Sequence, residues 1–235
     1  MTNKTVVSFA DGAGHYSRAL MRLELSLKQT GFDGNFKGIN DYGHIGAPPH
    51  KGPGSIPYAF KPLSMRKAIQ EGAELLLWCD SPVYAVSSIQ PIFDHIKQNG
   101  YLLFDNIGYS VGDYTSDACL AHFGITRNES FKIPMLMACV MGFDVNNITA
   151  AKFLDSYFKA AKDGLTFPGS WTNFDCEVSY DLRCKGHRHD QSVASILAYQ
   201  LGMTITNAQS TFFAYETHKG VVPVSPTVCM WSGGI

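Results

Sequence analysis

The chain has 235 residues, 45% of them hydrophobic and 17% charged, with 19 Lys and Arg against 20 Asp and Glu. A formal net charge of −1 argues against the concentrated basic face of a nucleic-acid binder, and the apolar content argues against disorder. The six cysteines, at 79, 119, 139, 176, 184 and 229, form no CxxC pair, so neither zinc nor dithiol spacing is present. The first residues hold no signal-peptide run, and no stretch reaches the roughly 18 apolar residues of a spanning helix. The expectation is a cytoplasmic protein with no transmembrane segment and no nucleic-acid partner.

In chain order, the β-branched run at 5–10 reads as a strand closed by the turn signal Asp11-Gly12. Leu20, Leu23 and Leu27 recur at helical spacing over 17–29, and Gly31 stops that helix. A short strand at 36–39 precedes a Gly- and Pro-rich loop at 43–58, of a length usually reserved for function or mobility. A helix at 61–72, with Pro62 in its first turn, feeds Leu75-Leu76-Leu77-Trp78-Cys79, a run suited to a strand buried on both faces. A helix at 88–98 and a strand at 101–104 follow. A second buried run lies at 135–143, then a periodic helix at 147–162 with Ala151, Leu154, Phe158 and Ala161 on one face. A polar, aromatic loop at 166–183 leads to His187-Arg188-His189-Asp190-Gln191, which opens a helix over 192–201. Residues 212–215 read as a last strand, and 221–235 as an apolar tail that docks on the domain or on a second subunit as a homodimer.

Strands alternating with helices imply an α/β fold, a mostly parallel central sheet with helices on both faces. The expected organisation is one domain over 1–235, with a first half at about 1–105, a second at about 106–220, and the tail. No Walker A loop, GxGxxG or GxSxG is present. In open parallel sheets ligands bind beyond the carboxyl ends of the strands, which selects Phe9, Ala10 and Asp11, then Asp80 with Ser81, then Asp105 and Asn106. Asp80 directly follows five apolar residues, a poor place for a merely solubilising carboxylate, although an Asp also suits the turn with Ser81-Pro82. Lys61 and Lys67 could meet a phosphate as point charges, or lie on a solvated helix face. Two histidines, an acid and an amide at 187–191 suit proton transfer, metal ligation or anion binding. The plainer reading is a basic loop with Asp190 or Ser192 as helix cap. Loop aromatics, among them Tyr109, Tyr114, Trp171 and Phe174, suit stacking on a base or sugar ring.

The order of these segments, a first strand ending near Asp11, LLLWCDSP, MACVMGFD and HRHDQS opening a late helix, resembles the small GT-A-type glycosyltransferases of microbes and viruses, over roughly residues 6–218. The resemblance implies a single Rossmann-like domain whose first half binds the nucleotide and whose second half binds acceptor and catalyses. It implies transfer of a hexose or pentose from a UDP- or GDP-linked donor to a glycan hydroxyl, in glycan biosynthesis. By the same resemblance Phe9, Ala10, Asp11, Lys61, Asp80 and Ser81 hold the donor, Trp171, His189 and Gln191 face the sugar or acceptor, and Asp190 is the base. The family's Asp-x-Asp motif stands here as Asp80-Ser81-Pro82, with Pro82 in the place of the second acid. The resemblance then implies either Mn2+ or Mg2+ held by Asp80 with a late histidine such as His218, or a diphosphate neutralised by Lys61, Arg188 and their neighbours. A metal-dependent hydrolase built on His187, His189 and Asp190, and a non-catalytic carbohydrate-binding relative, are the alternatives.

Overall fold

The computed structural model describes residues 2–206, 211–216 and 225–233. Its main sheet holds five strands, β1 (Lys4–Phe9), β2 (Asn35–Ile39), β3 (Leu75–Cys79), β5 (Tyr101–Ser110) and β6 (Pro134–Asp144), in the order β2-β1-β3-β6-β5. β1 pairs in parallel with β2 and β3, while β6 runs antiparallel to both β3 and β5, so four of the five strands share one direction. β4 (Val83–Ala85), β7 (Phe213–Tyr215) and β8 (Met230–Ser232) form a smaller sheet in the order β4-β8-β7. The described part of the apolar tail therefore docks on its own chain, through β8. The expected α/β fold with a mostly parallel sheet is the observed one.

The pleat explains why the central strands read as unbroken apolar runs. Successive side chains point to opposite faces, so both must be apolar when both faces are covered. Val7, Leu76 and Trp78 enter one core with α3 (Phe60–Gln70), α7 (Ile148–Asp163) and α8 (His189–Gln200). Their neighbours Val6, Leu75, Leu77 and Cys79 enter the other, with α1 (His15–Gln29), α4 (Gln90–Asn99) and β4. Gly142 on β6 has no side chain because Ile96 of α4 fills the place a Cβ would take.

Local signals set the helix ends. The Asn147 side chain accepts from the backbone N–H groups of Thr149 and Ala150, starting α7, and Gly164 ends it in the left-handed region. The buried face of α7 is Ala150, Phe153, Leu154, Tyr157, Ala160 and Ala161, rotated from the expected stripe. Ala151 is exposed and Phe158 only half-buried. One short helix, α2 (Tyr42–Ile45), lies at the start of the Gly/Pro-rich loop, and two more, α5 (Asp117–His122) and α6 (Arg127–Ser130), lie between the strands at 101 and 135, where the sequence suggested no element. Each starts at a side-chain cap, Asp41, Ser116 and Thr126 respectively.

Candidate active site

The carboxyl ends of β1 and β3 open into a cleft of about 550 Å³. Its walls include Phe9, Ala10, Asp11, Tyr42, Phe60 and Ser81. Phe9 stacks on Phe60 with ring centroids 4.5 Å apart and tilts against Tyr42 at 4.8 Å. The Tyr42 hydroxyl donates to Asp11 Oδ2 (2.8 Å). The Gly/Pro-rich loop supplies a further wall. The Tyr58 N–H donates to His50 Nδ1 (3.0 Å), and the His50 ring lies edge-on to Tyr58. Tyr58, Lys61, Asp80 and Trp171 also border an inner pocket of about 190 Å³, closed by Asn106, Ala138, Cys139, Arg188, Asp190, Gln191 and Tyr215.

Lys61 joins the two spaces. It is not on a solvated helix face: the first turn of α3 buries it to 4% exposure. Its Nζ lies 3.0 Å from Asp80 Oδ1, 2.9 Å from Asp190 Oδ2 and 3.0 Å from the Ala138 carbonyl oxygen. An unpaired ammonium in such a place would lose its proton. Burial does pull its pKa down, but Asp190 and Asp80 outweigh it and hold the pKa well above the ordinary lysine range. The Trp78 indole N–H donates to Asp80 Oδ1 (2.8 Å), fixing that carboxylate from the core side. Lys67, by contrast, pairs with Glu71 at 3.3 Å and lines another cavity.

Asp190 is the second acid of the cluster. Burial raises its pKa to about 6 despite the opposing pull of Lys61. The Lys61 contact is close but not aligned as a hydrogen bond, so the buried Asp190 Oδ2 keeps accepting capacity. The buried Tyr157 hydroxyl faces the same carboxylate, and burial first, then Asp190, pushes that phenol far above its usual range. Asp190 does not cap α8. The cap position is Arg188, whose N–H donates to Ser192 Oγ (3.1 Å), and Ser192 in turn donates to the Tyr114 carbonyl (2.6 Å). Gln191 Nε2 donates to the Leu136 carbonyl (2.6 Å), tying α8 to β6.

The histidines play a different part from the one expected. His187 is fully buried, its Nδ1 accepts from the Ser116 N–H (3.2 Å), and its Nε2 meets the Thr166 carbonyl (3.0 Å). Both nitrogens are thus committed to backbone, and no lone pair remains for a metal. His189 lines neither cavity. Its Nδ1 meets the Phe167 carbonyl (2.9 Å) and its ring stacks on Tyr58 at 5.3 Å, behind the wall rather than in it. Its φ of +47° is left-handed, an uncommon conformation for a residue other than glycine, immediately before Asp190. Burial lowers the pKa of His187 to about 3 and of His189 to about 4, so both are neutral at pH 7. The His187–His189–Asp190 hydrolase centre is therefore not formed.

The donor set does not fit a divalent ion at Asp80. Among the described residues no three His, Cys, Asp or Glu come together, and His218 lies outside those residues. A divalent ion on Asp80 would stand beside the Lys61 ammonium. It would have to share the Asp80 carboxylate with that ammonium, already 3.0 Å from Oδ1, and with the Trp78 indole N–H that donates to the same oxygen.

Phe9, Ala10, Asp11, Lys61, Asp80, Ser81, Trp171, Asp190 and Gln191 all line the two adjoining cavities. Sequence reasoning missed Tyr42, His50, Tyr58, Phe60 and Tyr157. The Gly/Pro-rich loop that carries or flanks the first four was the available signal. Tyr157 sits among the apolar residues of a helix and gives none.

No family model matches the chain, and no curated protein does. Solved structures do. A glycosyltransferase involved in glycosylating the major capsid of PBCV-1 aligns with TM-score 0.57 and 13% identity, covering 98% of this chain and 93% of that one. Mouse xyloside xylosyltransferase 1, in its apo form, aligns with TM-score 0.51 and 9% identity, over 99% and 98%. The apo bifunctional glycosyltransferase WbbM aligns with TM-score 0.54 and 10% identity over all of this chain, which spans 46% of that longer one. The chain has the Rossmann-like fold of these glycosyltransferases.

Proposed function

We propose that this protein is a glycosyltransferase that moves a sugar from a nucleoside-diphosphate-sugar donor to a hydroxyl of a glycan or similar acceptor. The observation that carries the reading is the buried Asp190 carboxylate at the end of a small pocket. That pocket opens, past Lys61 and Asp80, into a larger aromatic-walled cleft at the strand ends. A cleft of that volume suits a nucleotide, with the UDP or GDP base among Phe9, Tyr42 and Phe60, while the inner pocket suits one hexose or pentose ring. Acceptor enters over Trp171 and Gln191.

Asp190 takes the proton of the acceptor hydroxyl. The freed oxygen forms its bond to the anomeric carbon as the bond from that carbon to the diphosphate oxygen breaks, and the nucleoside diphosphate leaves with the electron pair. Replacing Asp190 with Asn keeps shape and removes the base. Turnover with the cognate pair then falls by roughly 10²–10⁴-fold, while nucleoside diphosphate binding measured by calorimetry stays. Full activity of D190N would sink the assignment.

A further inference from the structure

In this site the cation best placed for a ligand is not the one nearest the acids. Lys61 Nζ has its contacts filled from inside the protein, by Asp80, Asp190 and the Ala138 carbonyl. Those two acids outnumber it, so the cluster of Lys61, Asp80 and ionised Asp190 carries one net negative charge. A diphosphate arriving there needs positive charge from elsewhere.

Arg188 has it to give. Its guanidinium is clamped between two aromatic faces, 4.0 Å from the Tyr114 ring centroid and 4.2 Å from that of Trp171. One Nη1–H is given to the Trp171 carbonyl (2.7 Å), and no carboxylate pairs with it among the described residues. It borders the inner pocket with Asp190, and the Trp171 ring it rests on borders both pocket and outer cleft. Gly186 makes this seat possible. It lies against the Trp171 carbonyl, where any Cβ would collide, and its φ is +154°. The clamp removes rotamer freedom from a flexible side chain before any ligand arrives, and the remaining N–H groups form a fork suited to phosphate oxygens.

We infer that Arg188, stacked between Tyr114 and Trp171 on the border of the inner pocket, is the group that receives the diphosphate of the donor, and that binding there needs no divalent metal. This rests on the glycosyltransferase reading above and adds to it the means of charge neutralisation.

Calorimetric titration of the intact chain separates the possibilities. UDP and GDP, and uridine and guanosine as diphosphate-free probes, are titrated in EDTA and in Mn2+. The diphosphate that binds does so with the same Kd in both solutions to within about twofold. Arg188→Gln weakens it tenfold or more while leaving the matching nucleoside unchanged, and nucleoside binding certifies that the variant is folded. Arg188→Lys, which keeps charge but not the fork, falls between. Wild-type affinity for the diphosphate in R188Q, or binding that EDTA abolishes and Mn2+ restores, overturns the inference and leaves the glycosyltransferase reading standing. If no nucleoside diphosphate binds in either solution, the donor reading falls, and the role of Arg188 falls with it.

Discussion

At the residue scale, the protonation of one carboxylate governs the proposed chemistry. Asp190 is buried, which favours its neutral form, and beside Lys61, which favours its charged form; the balance leaves its pKa raised to about 6. A base must be ionised to work. Turnover is therefore full well above pH 6 and falls about tenfold per unit below it. Lys61→Met removes the opposing pull, so the acid limb of the kcat profile moves to higher pH, whereas a purely structural Lys61 would lower kcat at every pH alike. A pH–rate profile of both proteins distinguishes the two. Lys61 itself was legible as a candidate from its place before the Asp80 strand. Its burial was not, because a lone lysine in a helix usually lies on a solvated face.

At the element scale, two loops and one helix start are clipped together by His187. Its ring joins Ser116, which caps α5, to Thr166, just past α7, and it precedes α8 by two residues. Replacing it with Phe strands a buried N–H and a buried carbonyl, each at about 1–3 kcal/mol. We expect a loss of about 3 kcal/mol and a melting temperature lower by roughly 6–12 °C, read by thermal unfolding. A variant as stable as wild type would show the clip to be unimportant. In the sequence this histidine reads as one of a reactive pair with His189. The separation of their roles goes with the left-handed backbone at His189, where α8 begins, which residue types alone do not announce.

At the scale of the molecule, stability follows the same groups. His187 and His189 ionise far less readily folded than unfolded, with pKa values of about 3 and about 4 against an ordinary 6.5. The unfolded chain thus takes up protons first as pH falls through 6.5, and each histidine costs stability down to its folded pKa, at about 1.4 kcal/mol per unit. Asp190 acts in the opposite sense. Its folded pKa of about 6 exceeds the ordinary 3.8, so the folded chain gains a proton first between those values and offsets one histidine there. Denaturant titrations from pH 7 to pH 4 should show a net fall in stability that is smaller in H187F/H189F, where His50 and His95, whose pKa values burial also lowers, remain. A flat profile in the wild type would contradict the buried neutral state of both rings.

The sequence by itself determined the layers. Unbroken apolar runs at 75–79 and 135–143, separated by amphipathic helices, admit little but a sheet covered on both faces, because burial on two sides demands apolar residues at both parities. It also marked Asp80 and Asp190 as chemistry-bearing, one from its place at a strand end and the other within a dense polar cluster. Only the tertiary structure decided that these two acids, 110 positions apart, meet on one ammonium, that Arg188 rather than Lys61 keeps donors for a ligand, and that β6 runs against its neighbours. Such outcomes depend on which distant segments pack together, and contact energies between them are set by geometry that no local pattern encodes.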